Sequence, residues 1–337
     1  MDDKILLNHG SGGKMTHDLI GSLFVRCFDN PVLKDQTDSA LISIDKNLIA
    51  FTTDSYVVDP IFFSGGNIGK LAVCGTVNDL AVSGAKPLYI SCGFIIEEGF
   101  LMKDLEAIVN TMADEAKKAG VLIVTGDTKV VDKGKCDKIF INTSGIGILE
   151  EKHQRISYGD TIETGDKILI NGSIGDHGIA VMSARNSIHY SAEIKSDCAS
   201  LNHLIRQALG VSDNIKFMRD ATRGGLATIL CELAEKGKYG IVLHEERIPV
   251  EESVRGMCEI FGYDPFYIAN EGKVVMVVGK EDADKVLKEL QKDESGKNAS
   301  IIGEITEKNK GMVVLNTGVG GKRIVDMLAG EQLPRIC

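Results

Sequence analysis

The segment from Asn67 to Gly84, NIGKLAVCGTVNDLAVSG, constrains the fold more than any other stretch. Its apolar residues at 68, 71, 72, 77, 80 and 81 repeat with helical period, and small residues at 72, 75 and 81 let such a helix pack closely on a sheet or a second chain. Strand-like runs flank it, Leu48 to Thr53 before and Leu88 to Ile96 after. Helical Met102 to Lys118, then strand-like Val121 to Val124 and Ile139 to Leu149, complete a first unit. The alternation predicts an α/β fold of mixed sheets, and 37 glycines with only 6 prolines supply the tight turns it needs. A further helix is expected from Leu19 to Phe28, ended by Pro31.

The 337 residues suffice for two domains. We expect them at residues 1–155 and 156–330, with a polar linker about Glu150 to Thr164 and a tail from 331 to 337. The second unit opens with a strand from Gly165 to Asn171 and a glycine-rich turn, Asn171 to Gly178, feeding a helix. A helix is predicted from Leu226 to Lys236 and a strand from Val274 to Val278. Helices near 281–292 and 319–329 and strands near 299–304 and 312–316 follow.

Net charge of −10 argues against nucleic acid, whose phosphates need clustered Lys and Arg. Eight cysteines without a Cys-x-x-Cys pair read as reduced core thiols, and no run approaches the 18 apolar residues of a membrane span. A cytoplasmic protein is expected.

Several segments carry chemistry. Asn8 to Lys14 places three glycines beside a lysine, so Gly12 and Lys14 are candidates to hold an anion such as a phosphate. Asp54 and Asp127 end strands, where open α/β sheets bind ligands. Asp38 precedes the first of these strands, and Asn78 and Asp79 fall late in the first helix. Brought together, Asp38, Asp54, Asp79 and Asp127 would repel by roughly 4 kcal/mol per close pair, so they call for a cation, and hard oxygen ligands suit Mg²⁺. In Met218 to Leu226, Arg219, Asp220 and Arg223 form either a phosphate grip or a salt-bridge knot. Glu271 precedes a strand, facing the cleft between domains. His177, a single histidine without a visible partner, reads as structural.

The runs Asp54 to Pro60, Gly65 to Lys70, Cys74 to Ala85 and Gly126 to Lys129 together resemble the aminoimidazole ribonucleotide synthetase superfamily, and the resemblance covers nearly the whole chain. It implies a two-domain, PurM-like architecture whose N-terminal strands build a dimer barrel, with ATP near the dimer interface. Selenophosphate synthetases of this superfamily normally carry a Cys or selenocysteine in the N-terminal glycine-rich loop, which here has none. The reactive thiol is at the other end.

Pro334 stops whatever precedes it, and the seven residues from Glu331 to Cys337, if extended, span roughly 24 Å, enough to carry Cys337 into a cleft. Pro334-Arg335-Ile336-Cys337 is similar to the terminal signature of the HypE branch, which serves hydrogenase maturation. That resemblance implies that a carbamoyltransferase, HypF, loads Cys337, that ATP with Mg²⁺ drives dehydration of the carbamoyl group to a thiocyanate, and that a HypC–HypD complex accepts the cyanide. It assigns Asp38, Asp54, Asp79 and Asp127 to metal and nucleotide, with Asn78 and Asp220 as further nucleotide contacts, and implies a homodimer. Lys129 would stabilise the transferring phosphoryl group, and Glu271 would be a partly desolvated base taking the amide proton. Two alternatives stay open, a selenophosphate-synthetase-like enzyme acting on a free small molecule and a nucleotide-binding carrier that merely displays Cys337.

Overall fold

The computed structural model describes residues 13–25, 27, 31–44, 47–186, 194–328, 333 and 335–337. The chain starts with a short helix, α1 (Lys14–Leu19), continued in π-helical form over Ile20–Val25, and a single turn, α2, opens at Pro31. Gly12, Pro334 and most of the N-terminal glycine-rich loop lie outside the described residues.

The first unit is a five-stranded sheet. Its strands are β1 (Ala40–Ile44), β2 (Asn47–Tyr56), β5 (Ala85–Glu97), β6 (Leu122–Val131) and β7 (Ile139–Leu149), in the order β1-β2-β7-β5-β6. A two-residue hairpin, β3 (Phe62–Phe63) with β4 (Gly66–Asn67), leads into α3 (Ile68–Val82). Asn67 caps that helix by accepting from the amides of Gly69 at 2.9 Å and Lys70 at 3.1 Å, two of the donors a helix start leaves unpaired. Helix α3 is buried on nearly every side. Its glycine at position 75 lies against Tyr56, where an added Cβ would collide with the tyrosine hydroxyl, so close approach to the sheet requires glycine.

β5 and β6 run parallel, joined through α4 (Met102–Ala119), and the other pairings are antiparallel. The face of the sheet turned away from α3 stays open. Phe51, Tyr89, Ile95, Ile146 and Ile148 lie on it, 40–52% exposed.

The second unit is a seven-stranded sheet, with β8 (Lys167–Ile170), β9 (Ile215–Asp220), β10 (Gly240–His244), β11 (Val274–Val278), β12 (Ser300–Thr306), β13 (Val313–Asn316) and β14 (Lys322–Val325). Their order is β14-β13-β10-β12-β8-β11-β9. The helices are α5 (Asp176–Arg185), α6 (Asn202–Val211), α7 (Gly225–Gly237), α8 (Glu252–Phe261) and α9 (Ala283–Leu290). All five residues of β11 are buried, and their alternation divides them. Val275 and Val277 pack with Leu226, Leu230 and Leu233 of α7, while Val274, Met276 and Val278 pack with Leu204 and Ala208 of α6 and Val286 and Leu290 of α9.

Three expectations change. Residues 125–129 continue β6 rather than leaving the strand, and α6 and β9 occur where no element was expected. The helix expected at 319–329 is replaced by β14, because Gly320, at φ +84°, turns the chain and Lys322–Val325 then pairs antiparallel with β13. Among the described residues no helix is long and apolar enough to cross a membrane.

Candidate active site

Where the two units meet, β2, the last turn of α3, the end of β9 and the turn before β11 surround a cavity of about 250 Å³. Each element contributes an acid. Asp54 comes from β2, Asp79 from α3, Asp220 from β9 and Glu271 from the turn, and Asp38 enters from the segment before β1. Arg223 and the thiol of Cys337 complete the lining.

Four of these carboxyls are held neutral more strongly than usual. Burial, and then Asp38 and Asp54, raise Asp220 to about 8. Burial and Asp54 push Asp79 well above the carboxylate range, although Thr52 Oγ1 lies 2.7 Å from its Oδ2 and opposes the shift. Asp54 rises for the same primary reason, against Arg223 and a 3.2 Å hydrogen bond donated by Tyr56. Glu271 is raised well above its ordinary value by burial and by Asp220, Asp197 and Asp54. Burial within the cavity therefore makes each of these groups hold its proton more tightly than it would in water. Asp38 is handled differently, through ion pairing with Arg219 at 3.1 Å, and Arg219 in turn meets Glu232 at 2.6 Å.

The turn bearing Glu271 is built with care for its backbone. Asp197, buried with Lys273 at 2.9 Å, accepts from the amides of Glu271 and Gly272, both at 3.1 Å. Burial alone would raise Asp197, but Lys273 and these donors outweigh it and keep the carboxyl below the usual range. The side chain of Glu271 is only 3% exposed, and its Oε1 has no hydrogen-bond partner. A carboxyl so placed is available to a group entering the cavity.

That entering group is at the chain's end. The backbone of the tail lies beside residues 57–59, with the amide of Val57 donating to the Cys337 carbonyl at 3.1 Å and that of Asp59 to the Arg335 carbonyl at 3.2 Å. Arg335 donates to the Val57 carbonyl at 2.9 Å and pairs with Asp137 at 2.6 Å. Leu333 and Ile336 are buried in the core that includes α5 and α8. Burial, opposed by Arg223 and reinforced by Glu271, raises the Cys337 thiol to about 12, so the docked sulphur is a neutral thiol.

The sequence candidates divide accordingly. Asp38, Asp54, Asp79, Asp220, Glu271 and Cys337 share the cavity. Asp127 and Lys129 do not, and the expected cluster of four aspartates is not formed within one chain. Strand register gives the reason, since Ser55 faces Asn142, Asn142 faces Gly93 and Gly93 faces Asp127. Asp127 is thus three strands across the sheet from β2, about 14 Å, on an exposed edge where it pairs with Lys129 at 2.7 Å.

Asn78 is also turned away. Its amide donates to the Ala199 carbonyl at 3.0 Å and accepts from the amide of Leu201 at 2.8 Å, which fastens the 199–201 segment, and Asn78 is not among the residues that line the cavity. Lys14 is exposed on α1 and does not line the cavity. Conversely, Thr52 and Tyr56 line it without having been singled out, and Arg223 of the Arg/Asp/Arg motif lines it while Arg219 of the same motif is taken up in ion pairs.

A second cavity of about 320 Å³ adjoins the first, sharing Asp38, Asp220, Thr222 and Arg223 and bordered by His17. Together they offer acids at one end and an arginine between, an arrangement suited to a phosphate chain with a hard divalent cation. Among the described residues no three acid, histidine or thiol groups converge as ready metal ligands.

Residues 36–149 match the model of the N-terminal domain, and residues 163–316 that of the C-terminal domain, of AIR synthase related proteins. The carbamoyl dehydratase HypE of Escherichia coli K12 is 47% identical over 341 residues, covering 99% of this chain and all of that protein. A crystal structure of the hydrogenase maturation protein HypE in complex with ATP superposes with a TM-score of 0.83 at 47% identity, covering 99% of this chain and 100% of that one. A HypE–HypF complex gives a TM-score of 0.87 at 50% identity, covering 92% and 99%.

Proposed function

The chain belongs to the HypE carbamoyl dehydratases, within the AIR synthase related proteins, and from that premise we propose that it dehydrates a carbamoyl group carried on its own Cys337, using ATP, to provide the cyanide ligands of [NiFe]-hydrogenase maturation. The observation that carries this reading is the seating of Cys337 in the same cavity as Glu271 and the buried acids. A carrier that only displays its tail has no use for such a cavity.

Dehydration removes both amide protons and the oxygen, and the carbon–nitrogen bond becomes triple. ATP supplies the phosphoryl group that turns the oxygen into a phosphate leaving group, and Mg²⁺ supplies positive charge beside the phosphates. Asp38, Asp54, Asp79 and Asp220 line one cavity, and their hard oxygens would hold such a cation on drawing together around it, since they do not converge as ready ligands without it; its charge would draw off the protons that burial retains. Arg223, which lines the same cavity, would offset charge on the phosphoryl group. Glu271, with Oε1 unpartnered, would take one amide proton as the oxygen is phosphorylated, Arg223 and the cation having favoured its carboxylate, and the second proton would leave with the departing phosphate.

The open sheet face is the proposed homodimer surface. Phe51, Tyr89, Ile95, Ile146 and Ile148 are too many exposed apolar groups on one face to leave in water, and a second copy closes them into the dimer barrel. Asp127 and Lys129, on the edge strand of that sheet, then act at a cavity across the dimer, where Lys129 stabilises the transferring phosphoryl group.

A thiol raised to about 12 is a poor nucleophile, so loading belongs to an undocked tail. We assign that loading to HypF and cyanide transfer to a HypC–HypD complex, again with the tail exposed, in the cytoplasm.

ADP release tests the reading. A chain loaded on Cys337 is expected to form one ADP per carbamoyl group and then stop, while Cys337→Ala forms none above background. Continuous ATP hydrolysis by the unloaded chain, unaffected by Cys337→Ala, would point to a free small-molecule substrate instead.

A further inference from the structure

His177 is fully buried on the first turn of α5, its ring edge-on to Phe63 with centroids 5.4 Å apart. Nε2 lies 2.8 Å from the carbonyl oxygen of Ile336, the residue before the reacting cysteine. A carbonyl only accepts, so this nitrogen carries the proton. Nδ1, left with a lone pair in the neutral ring, lies 2.8 Å from Ser196 Oγ and accepts the serine proton. Ser196 Oγ in turn accepts from the amide of Cys198 at 3.1 Å. One tautomer satisfies every group in this chain.

We propose that His177 is a positioning residue that latches the docked tail, its tautomer fixed by Ser196 and its Nε2–H holding the Ile336 carbonyl so that the Cys337 sulphur is set against Glu271. Arg185, on the same helix, provides the second hold by donating to the Arg335 carbonyl at 2.8 Å and to that of Asp59 at 2.8 Å. The latch and the base are carried by one segment. Ser196 holds the histidine, while its neighbour Asp197 holds the amides of Glu271 and Gly272, and the amide of Ala199 donates to the Glu271 carbonyl at 3.3 Å. A tail seated on His177 is therefore registered against the turn that presents Glu271. The inference rests on the reading that Cys337 carries the reacting group, but the latch itself can be measured without chemistry on the loaded chain.

The test is the rate at which iodoacetamide alkylates Cys337 in the unloaded, full-length protein, followed by mass spectrometry of the C-terminal peptide. His177→Leu removes the donor from a ring-sized apolar site, and the alkylation rate is expected to rise about tenfold, the worth of one neutral hydrogen bond. His177→Gln places an amide N–H near the former Nε2 and is expected to stay within about twofold of the unmodified chain. Ser196→Ala leaves the ring in place with its tautomer unfixed, gives a rise of about threefold, and carries the test if His177→Leu fails to fold. Unchanged rates in His177→Leu or, if that fails to fold, in Ser196→Ala overturn the latch. So does a glutamine variant no slower than the leucine one. If a loaded wild-type chain loses no water on addition of Mg·ATP, the dehydratase reading fails while these rates still decide the latch.

Discussion

Glu271→Gln is expected to slow the loss of water from the carbamoylated chain by ~10²- to 10⁴-fold, the usual contribution of a general base. The variant should fold normally. Glutamine has the size of the protonated glutamic acid that burial already favours, so the substitution removes the base without placing a new charge or void in the cavity. The pH profile gives the sharper discrimination. Glu271 starts with a raised pKa, so the wild-type rate increases with pH as the proton is lost, and the glutamine variant is slow and flat. Measuring the rate at saturating Mg·ATP between pH 6 and 9 checks both. A glutamine variant with the wild-type rate, or the wild-type pH dependence, removes Glu271 from the chemistry.

The second large effect comes from Asp220, whose substitution should move stability and activity in opposite directions. Its folded pKa, raised to about 8 from 3.8, means the ligand-free protein retains a proton that the unfolded chain releases. The stability this contributes is complete below about pH 4, declines as pH rises, and is gone above about 8. Asp79 and Glu271 shift in the same direction and steepen the decline. Asp220→Asn should therefore raise the melting temperature of the ligand-free protein at pH 8 by about 2–4 °C, equivalent to about 1 kcal/mol. The same change should lower ATP-dependent dehydration by about a hundredfold if, as proposed, this carboxylate helps to hold the nucleotide's cation. Thermal melts from pH 5 to 9, with and without Mg·ATP, provide the check. A wild-type melting temperature that climbs steadily over that range without ligand would contradict the raised carboxyls.

Local pattern carried much of this architecture, and lateral distance was what it lacked. Periodicity located α3, α4, β7 and β11 because each has enough apolar residues to set its own period. It misread 319–329, where two glycines and a four-residue strand depend on pairing with β13 for their form. Strand ends and the Met218–Leu226 motif identified Asp54 and Asp220. They could not separate Asp54 from Asp127, which lie three strands apart in adjacent rows, so that their side chains leave opposite faces of the sheet.

Adjacent residues posed a similar problem on α3. Asn78 and Asp79 differ by about 100° around the helix, enough to send one to the 199–201 segment and the other into the cavity. The two arginines of the motif likewise separate, Arg219 into the ion pairs with Asp38 and Glu232 and Arg223 into the site. His177 gave no sign in the sequence because both its partners, Ser196 and Ile336, are remote in the chain.

Intact-mass spectrometry of the protein after carbamoylation by HypF, before and after Mg·ATP, tests the central claim most directly. The account predicts that the loaded chain loses the mass of one water, that the loss maps to the C-terminal peptide, and that Cys337→Ala is neither loaded nor changed. A loaded chain that binds ATP yet keeps its mass would contradict a self-modifying dehydratase.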